Sequence, residues 1–335
     1  MSKPRARLKD IAQATGFSAN TVSLALRGSP RLPVETRERI LKEAERLNYF
    51  PNHVARSLVS NATRTIGLIM TDIMNPTLTL AARTIERELS RAGYAMMFAA
   101  SDTSVEHEKR AIALFLAYQV DGMLIYPANH AVCDHIKAVA DGGTPVLLLA
   151  GLAGSGVDTV AIDDGAGAFK AVRHLCEKGH RNIAMLDGGQ SLDSQEKLQG
   201  ARRAVRESGL PEDAITVFAP GGNTSGHGHA AMARVMGLDP APTALFASTD
   251  ALAIGALRWC RENGIQVPEG LAIVGYDNTE IAEFNAVPLT TVNYAADEIS
   301  RIGVERILRR INDKELMQEA TTQLIEPQLI IRETT

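Results

Sequence analysis

Two different periodicities divide this chain. Over roughly the first fifty residues, apolar positions recur every three or four places in short stretches. Leu8, Ile11, Ala12 and Thr15 form one such stripe and end at Gly16, a residue suited to terminating a helix. Ser18 then stands where an N-cap belongs, and Val22, Ala25 and Leu26 make a second stripe that closes at Arg27-Gly28. The pattern predicts a third helix from about Pro33 to Leu47, with Ile40, Leu41, Ala44 and Leu47 on its inner face and proline in its first turn. Helix, tight glycine turn, helix is helix-turn-helix spacing. With Val22 and Leu26 turned inward, the second helix shows Ala19, Asn20, Ser23, Leu24 and Arg27 to the outside, a face that suits a DNA groove better than open water.

From Thr65 the pattern changes. Continuous apolar runs such as "TIGLIM", "AMMFAAS", "DGMLIYP", "PVLLLAG" and "TVAID" alternate with helical segments, and the alternation resumes in "RNIAMLD", "AITVFAP", "TALFAS", "LAIVGYD" and "LTTVNY". Runs of this kind imply parallel strands covered by helices on both faces. The stretches "IERELSRAGYAMMFA" and "ARRAVRESGLPEDAITVFA" repeat one design, a helix closing on glycine and then a strand. Two doubly wound lobes are therefore expected, with a ligand crevice at the carboxyl ends of their strands.

Charge sharpens the division. The overall net charge is −4, yet residues 1–64 carry twelve Lys/Arg against five acids, which gives +7 for the head and −11 for the remainder. A basic head that meets a polyanion and an acidic body that does not is the reading this asymmetry favours. At 335 residues the chain suits two or three domains. Its longest apolar runs are strand-length, and "MSKPRARLKD" has no apolar stretch behind its charges, so neither a membrane span nor a secretory signal is expected and a cytoplasmic location is. Cys133, Cys176 and Cys260 are odd in number and far apart, which predicts buried thiols and no disulfide framework.

The stretch "LKDIAQATGFSANTVSLALRGSPRLPVETRERILKEAERLNYFPNHVARSL" resembles the DNA-binding head of the lac repressor family (LacI/GalR type), with "TVS", "TRERI", "LNYFPN" and "ARSL" at the family's intervals. The resemblance implies a head over residues 1–50 and a hinge helix and linker over 51–64. By it, Ala19, Asn20 and Leu24 face bases, Leu24 standing where the family usually has arginine. Asn20 could pair with adenine, and Ala19 and Leu24 suit a thymine methyl. Ser18, Thr21, Ser23, Arg27 and Arg31 would touch phosphate. For Leu24, packing within the head is an equal alternative. In the hinge, Leu58 matches a residue wedged into the minor groove, and Asn52 and Ala55 match its minor-groove contacts.

The resemblance continues to about residue 332 through "VAIDDGAGAFKAVRHLCEKGHRNIAMLDGG", "STDALAIGAL" and "VGYDNTEIAEFNAVPLTTV". It implies an α/β body of two doubly wound parallel-sheet lobes, periplasmic-binding-protein-like, behind an all-α helix-turn-helix head. The chain would cross between lobes near 158–163, 289–293 and 320. That puts residues 65–161 plus 292–320 in the first lobe, and 162–291 plus 321–335 in the second. It also implies a homodimer on a palindromic operator, and a small polar effector in the cleft, a sugar or a sugar-derived acid. The chain ends at "LIIRETT" with no leucine heptad, so a dimer and no tetramer is expected.

Candidate effector residues are Asn75, Thr77, Leu78, Tyr126, Lys197, Thr249 and Asp277. Thr77 and Leu78 follow "NP" where the family often has a stacking aromatic pair. Gly221 and Ala150 replace a further aromatic and an acid, and Lys197 replaces a clamping arginine. A lysine is a point charge and not a fork, so bidentate carboxylate recognition is weakened. An anionic effector paired with Lys197 is nevertheless one expectation. Rival readings fare worse. No GxxxxGK[ST] or GxGxxG follows a strand, no Ser/His/Asp set stands in a recognisable context, and His227 and His229 in "GHGH" lack a third ligand and read as solvated. A non-enzymatic, ligand-responsive transcriptional regulator without cofactor or metal, usually a repressor, is the expectation carried forward.

Overall fold

The computed structural model describes residues 6–26, 28–49, 62–129, 132–151, 155–188, 192–313 and 320–335, with backbone only for 192–194. Two compact units result, Met1–Thr63 and Arg64–Thr335.

The head holds α1 (Leu8–Thr15), α2 (Ala19–Leu26) and α3 (Val34–Arg46). Gly16 ends α1 in the left-handed conformation at φ 76°, which glycine adopts without steric cost. The Ser18 hydroxyl accepts the Thr21 N–H at 3.1 Å and so starts α2. Ile11, Val22, Ala25, Ile40 and Ala44 make the core, with Leu8, Ala12, Phe17, Leu26, Leu32, Leu47 and Tyr49 packed around it. Leu41 departs from the expected inner face and is 44% exposed. The stripe Ile40–Ala44–Leu47 advances by four and three residues, and Leu41 lies a further 100° around the helix from Ile40.

The body contains two six-stranded sheets. The first is built from β1 (Thr65–Met70), α4 (Pro76–Arg91), β2 (Ala95–Ala100), α5 (Val105–Ala117), β3 (Gly122–Ile125), α6 (Asp134–Asp141), β4 (Val146–Leu148) and β5 (Asp158–Ile162). The second contains α7 (Asp164–Glu177), β6 (Ile183–Leu186), α8 (Leu192–Glu207), β7 (Ile215–Phe218), α9 (Ser225–Met236), β8 (Ala244–Ala247), α10 (Asp250–Glu262), β9 (Ala272–Asp277), α11 (Glu280–Phe284) and β10 (Thr290–Asn293). The chain then returns to the first lobe as α12 (Ala296–Asn312) and β11 (Thr322–Ile325), and ends in the second as β12 (Gln328–Ile330). The sheet orders are β11-β5-β4-β3-β1-β2 and β12-β10-β9-β8-β6-β7. Every pairing is parallel except β10 with β12.

One crossing point differs from expectation, and another moves a lobe boundary by two residues. β10 pairs through Asn293 with β9, so the second crossing follows Asn293, and residues 292–293 belong to the second sheet. The third falls between Ile325 and Gln328 and not near 320, because Thr322–Ile325 pairs with Thr159–Ile162 in the first sheet. Each sheet has a core on both faces. In the first, β1, β3 and β4 send alternate side chains to α4 and α12 on one side and to α5 and α6 on the other. In the second, α7 and α8 cover one face, and α9 and α10 the other. No described helix is long and apolar enough to cross a membrane.

Candidate functional site: a cleft wall of carboxylates around one lysine

In both sheets the strand order reverses beside the first strand, between β1 and β3 and between β6 and β8. Open sheets of this kind bind ligands at such switch points, beyond the carboxyl ends of the strands. The candidate effector residues fall on these ends.

The second-lobe wall is the more polar. α7 and α8 approach so closely that a Cβ on Gly200 would lie 2.0 Å from the Gly165 carbonyl oxygen, so only glycine fits there. That contact brings the second turn of α8 over the start of α7. Lys197 Nζ lies 3.4 Å from Asp164 Oδ1, donates to the Ser248 carbonyl at 3.3 Å, and sits 3.8 Å from the centroid of the Tyr276 ring. Gly167 gives Tyr276 its room, since a Cβ there would meet the phenol oxygen at 2.6 Å. The Lys197 charge is thus already shared among a carboxylate, a carbonyl and an aromatic face.

Beyond it lies a second buried carboxylate, Asp250, fully enclosed at the start of α10. Its oxygens accept from the Thr279 N–H at 2.7 Å, the Thr279 hydroxyl at 3.0 Å and the Thr291 hydroxyl at 2.5 Å. Burial pushes its carboxyl up to about 6, against the pull of those donors. Asp277 ends β9 with φ 120°, and Asn278 follows with φ 56°; two consecutive non-glycine residues are held in the left-handed half of backbone space. Burial first, and then the Asp250 carboxylate, raise the Asp277 carboxyl well above the usual carboxylate range, while Lys197 works against the rise.

The first-lobe wall is quieter. Asn75 caps α4, its side chain accepting the Thr77 N–H at 2.9 Å. Thr77 and Leu78 are both buried, Leu78 within the lobe core. Tyr126, one residue beyond β3, is buried in the same core. The Thr77 hydroxyl has no hydrogen-bond partner among the described residues, while the Tyr126 hydroxyl is beside Ser300 and the Tyr276 hydroxyl beside Asp164. Thr249 caps α10 through the Leu252 N–H at 3.3 Å. The structure therefore brings Lys197 and Asp277 together around Asp164 and Tyr276, and gives the side-chain oxygens of Asn75 and Thr249 to helix starts.

Asp164, Tyr276, Ser248 and Asp250 escaped the sequence reading. A signal existed for Asp164 in the doubled acid of "VAIDDG", which follows a strand directly. None existed for Tyr276, whose role depends on a lysine from another helix lying on its ring. His227 and His229 are engaged and not merely solvated, with Thr224 at 2.7 Å and Glu262 at 2.7 Å respectively. A glycine-rich helix start leaves room for the first, and the α9–α10 packing supplies the second. Cys176 and Cys260 are buried as expected, and Cys133 is half-buried.

In the head, Ala19 and Asn20 are exposed on α2, and Thr21, Ser23 and Leu24 are partly exposed. Leu24 is not among the side chains packed on the head core. Arg31 is exposed beyond the turn. Arg27, Asn52, Ala55 and Leu58 lie outside the described residues.

A helix-turn-helix head followed by a two-lobed body with a polar cleft defines the class of ligand-responsive, DNA-binding regulators of transcription. The chain belongs to the lacI family of bacterial regulatory proteins: that family description matches residues 7–52, and a periplasmic binding protein-like domain matches residues 172–335. It is similar to catabolite control protein A of Priestia megaterium, 33% identical over 94% of this chain and 95% of that one. It is also similar to the lac repressor dimer bound to operator and the anti-inducer ONPF, with TM-score 0.88, 26% identity and 99% of both chains covered. A third likeness is the transcriptional regulator CelR in complex with cellobiose, with TM-score 0.72, 28% identity, and 99% of this chain and 100% of that one covered. The family consists of transcriptional regulators and not of enzymes.

Proposed function

We propose that the protein is a repressor that binds a palindromic operator as a homodimer and answers to a neutral, hydroxyl-rich effector of the sugar class in the cleft. The observation that carries the effector reading is the Lys197 ammonium, already held by Asp164 and the Ser248 carbonyl over the Tyr276 ring. An incoming carboxylate would have to compete with Asp164 for that charge. A sugar hydroxyl has no such conflict, and it can hydrogen-bond to Asp277 and satisfy the buried Thr77 hydroxyl. Leu78 supplies an apolar floor, and Asn75 and Thr249 shape the helix starts around the ligand. The cellobiose bound by CelR supports the same class.

For DNA, Ala19, Asn20 and Leu24 are the base-facing set, and Ser18, Thr21, Ser23, Arg27 and Arg31 the phosphate-facing set, in a head over residues 1–50. Residues 51–64 serve as hinge, with Asn52, Ala55 and Leu58 in the minor groove. The lac repressor dimer on its operator supports this arrangement. The test is isothermal titration of the full-length protein with neutral mono- and disaccharides and with the matching sugar acids. At least one neutral sugar is expected to bind, with about tenfold or greater loss in Asp277→Ala. Tighter binding of a sugar acid than of its neutral parent, abolished by Lys197→Met, would overturn the effector reading.

A further inference from the structure

The body begins at Arg64, and this residue is fastened more tightly than its exposed position requires. Its φ is 52°, in the left-handed region that a side chain makes unfavourable. Three contacts hold it there. Its N–H donates to the Asp121 carboxylate at 2.9 Å, and its carbonyl accepts the Ala95 N–H at 2.8 Å. Its guanidinium lies 5.0 Å from the centroid of the Tyr94 ring, close enough for cation–π attraction. Asp121 in turn donates its own N–H to the Thr65 carbonyl at 2.8 Å. The starts of β1, β2 and β3 therefore meet on one residue. They are the three strands beside the switch point of the first sheet, and Arg64 sits at their amino ends, opposite the ends that border the cleft.

We propose that Arg64 is a positioning residue for operator recognition: its clamp on Asp121, Ala95 and Tyr94 fixes the direction in which residue 63 leaves the sensor, so that movement of the first lobe reaches the DNA-binding head without slack. The proposal rests on the operator-binding reading above. An unclamped exit would let the head sample many directions relative to the sensor, and the correct one would be populated only in part. Apparent affinity for a specific site falls by that fraction. Non-specific binding needs only the charge of the head and is indifferent to direction. The contacts also explain how an arginine is held in this backbone conformation.

The experiment uses the full-length protein, a duplex selected with the wild type from a random pool, and an unrelated duplex of equal length. Arg64→Ala is on the surface and leaves every core side chain in place; Arg64→Lys keeps a cation over Tyr94. Arg64→Ala is expected to weaken binding to the selected duplex about fivefold or more, with unchanged affinity for the unrelated duplex and an unchanged melting curve. Arg64→Lys should stay near the wild type. Amide hydrogen exchange reads the clamp without DNA: the Arg64 and Ala95 amides should be protected in the wild type and exchange faster in Asp121→Ala. An Arg64→Ala protein that keeps the wild-type ratio of the two affinities overturns the proposal. So does an equal loss on both duplexes, which would make Arg64 a phosphate contact. A wild type that selects no duplex from the pool would instead refute the operator reading, and protected amides in Asp121→Ala would still count against the clamp.

Discussion

Asp250 shows how one side chain can serve a fold while charging it a penalty. Three hydrogen bonds to Thr279 and Thr291 tie the start of α10 to β10 and to the bend after β9. Gly275 makes the space, because a Cβ there would approach the carboxylate at 2.4 Å. Burial raises the carboxyl from 3.8 to about 6, so between those values the folded protein holds a proton that the unfolded chain has released. Stability from this group is complete below about pH 4 and is lost as pH rises through about 6, by up to about 3 kcal/mol. The raised Asp277 carboxyl adds a slope of the same sign. In Asp250→Asn the first of these slopes should vanish while a side-chain oxygen remains to accept from Thr279. Urea unfolding at intervals from pH 4 to pH 6.5 should then show the wild type losing stability relative to the variant. Parallel curves would mean that Asp250 stays ionised throughout the range.

At the scale of elements, the head and the body owe their cohesion to different amounts of core. Among the described residues the head rests on five buried apolar side chains, of which Ile11, Val22 and Ile40 are wholly enclosed. Ile40→Ala should therefore cost about 2–5 kcal/mol, a large part of what a unit of this size can have. Because the head is a separate compact unit, calorimetry should show its transition lowered or lost and the body's transition unmoved, with DNA binding abolished. A shift of both transitions together would show that the two units unfold as one.

Elements also show where sequence patterns stop being informative. Ten strands were legible as apolar runs, the inner ones because a strand buried on both faces must be apolar throughout. β11 and β12 were not: "TQLI" and "QLI" are short, and only their Leu-Ile pairs are apolar. They lie two residues apart, across Glu326 and Pro327, yet join different sheets. Nothing local says which edge each will find. Leu41 misled for a related reason: it directly follows the buried Ile40, but one step around a helix moves a side chain off a narrow stripe.

For the whole molecule, the exposed apolar side chains are the features that folding of a single chain leaves unexplained. Met74 is 82% exposed just before α4, and Phe284 is 76% exposed at the end of α11, with Ile281 beside it at 58%. Neighbouring apolar side chains such as Ile281 and Phe284 suit a surface that becomes covered, and a second copy of the chain is the occupant that the proposed homodimer supplies. Phe284→Asp and Met74→Asp should shift the protein toward monomer in multi-angle light scattering. Selected-duplex binding should weaken far more than binding to an unrelated duplex, because two linked heads gain from effective concentration. Dimers at unchanged strength in both variants would place the interface elsewhere.

The sequence by itself determined the helical head, the two-lobed α/β body, the charge division between them and the family, because these follow from periodicity and from motifs at fixed spacing, which are local properties. It also marked Lys197 and Asp277. What it left open was what Lys197 faces. Tertiary structure decided that, by setting α8 on α7 through two glycines so that the ammonium meets Asp164 and the Tyr276 ring. The same holds for the crossing after Ile325 and for the clamp on Arg64. In each case the partner lies tens of residues or more away along the chain, and a charge or a strand edge acquires its role only when folding chooses its neighbour.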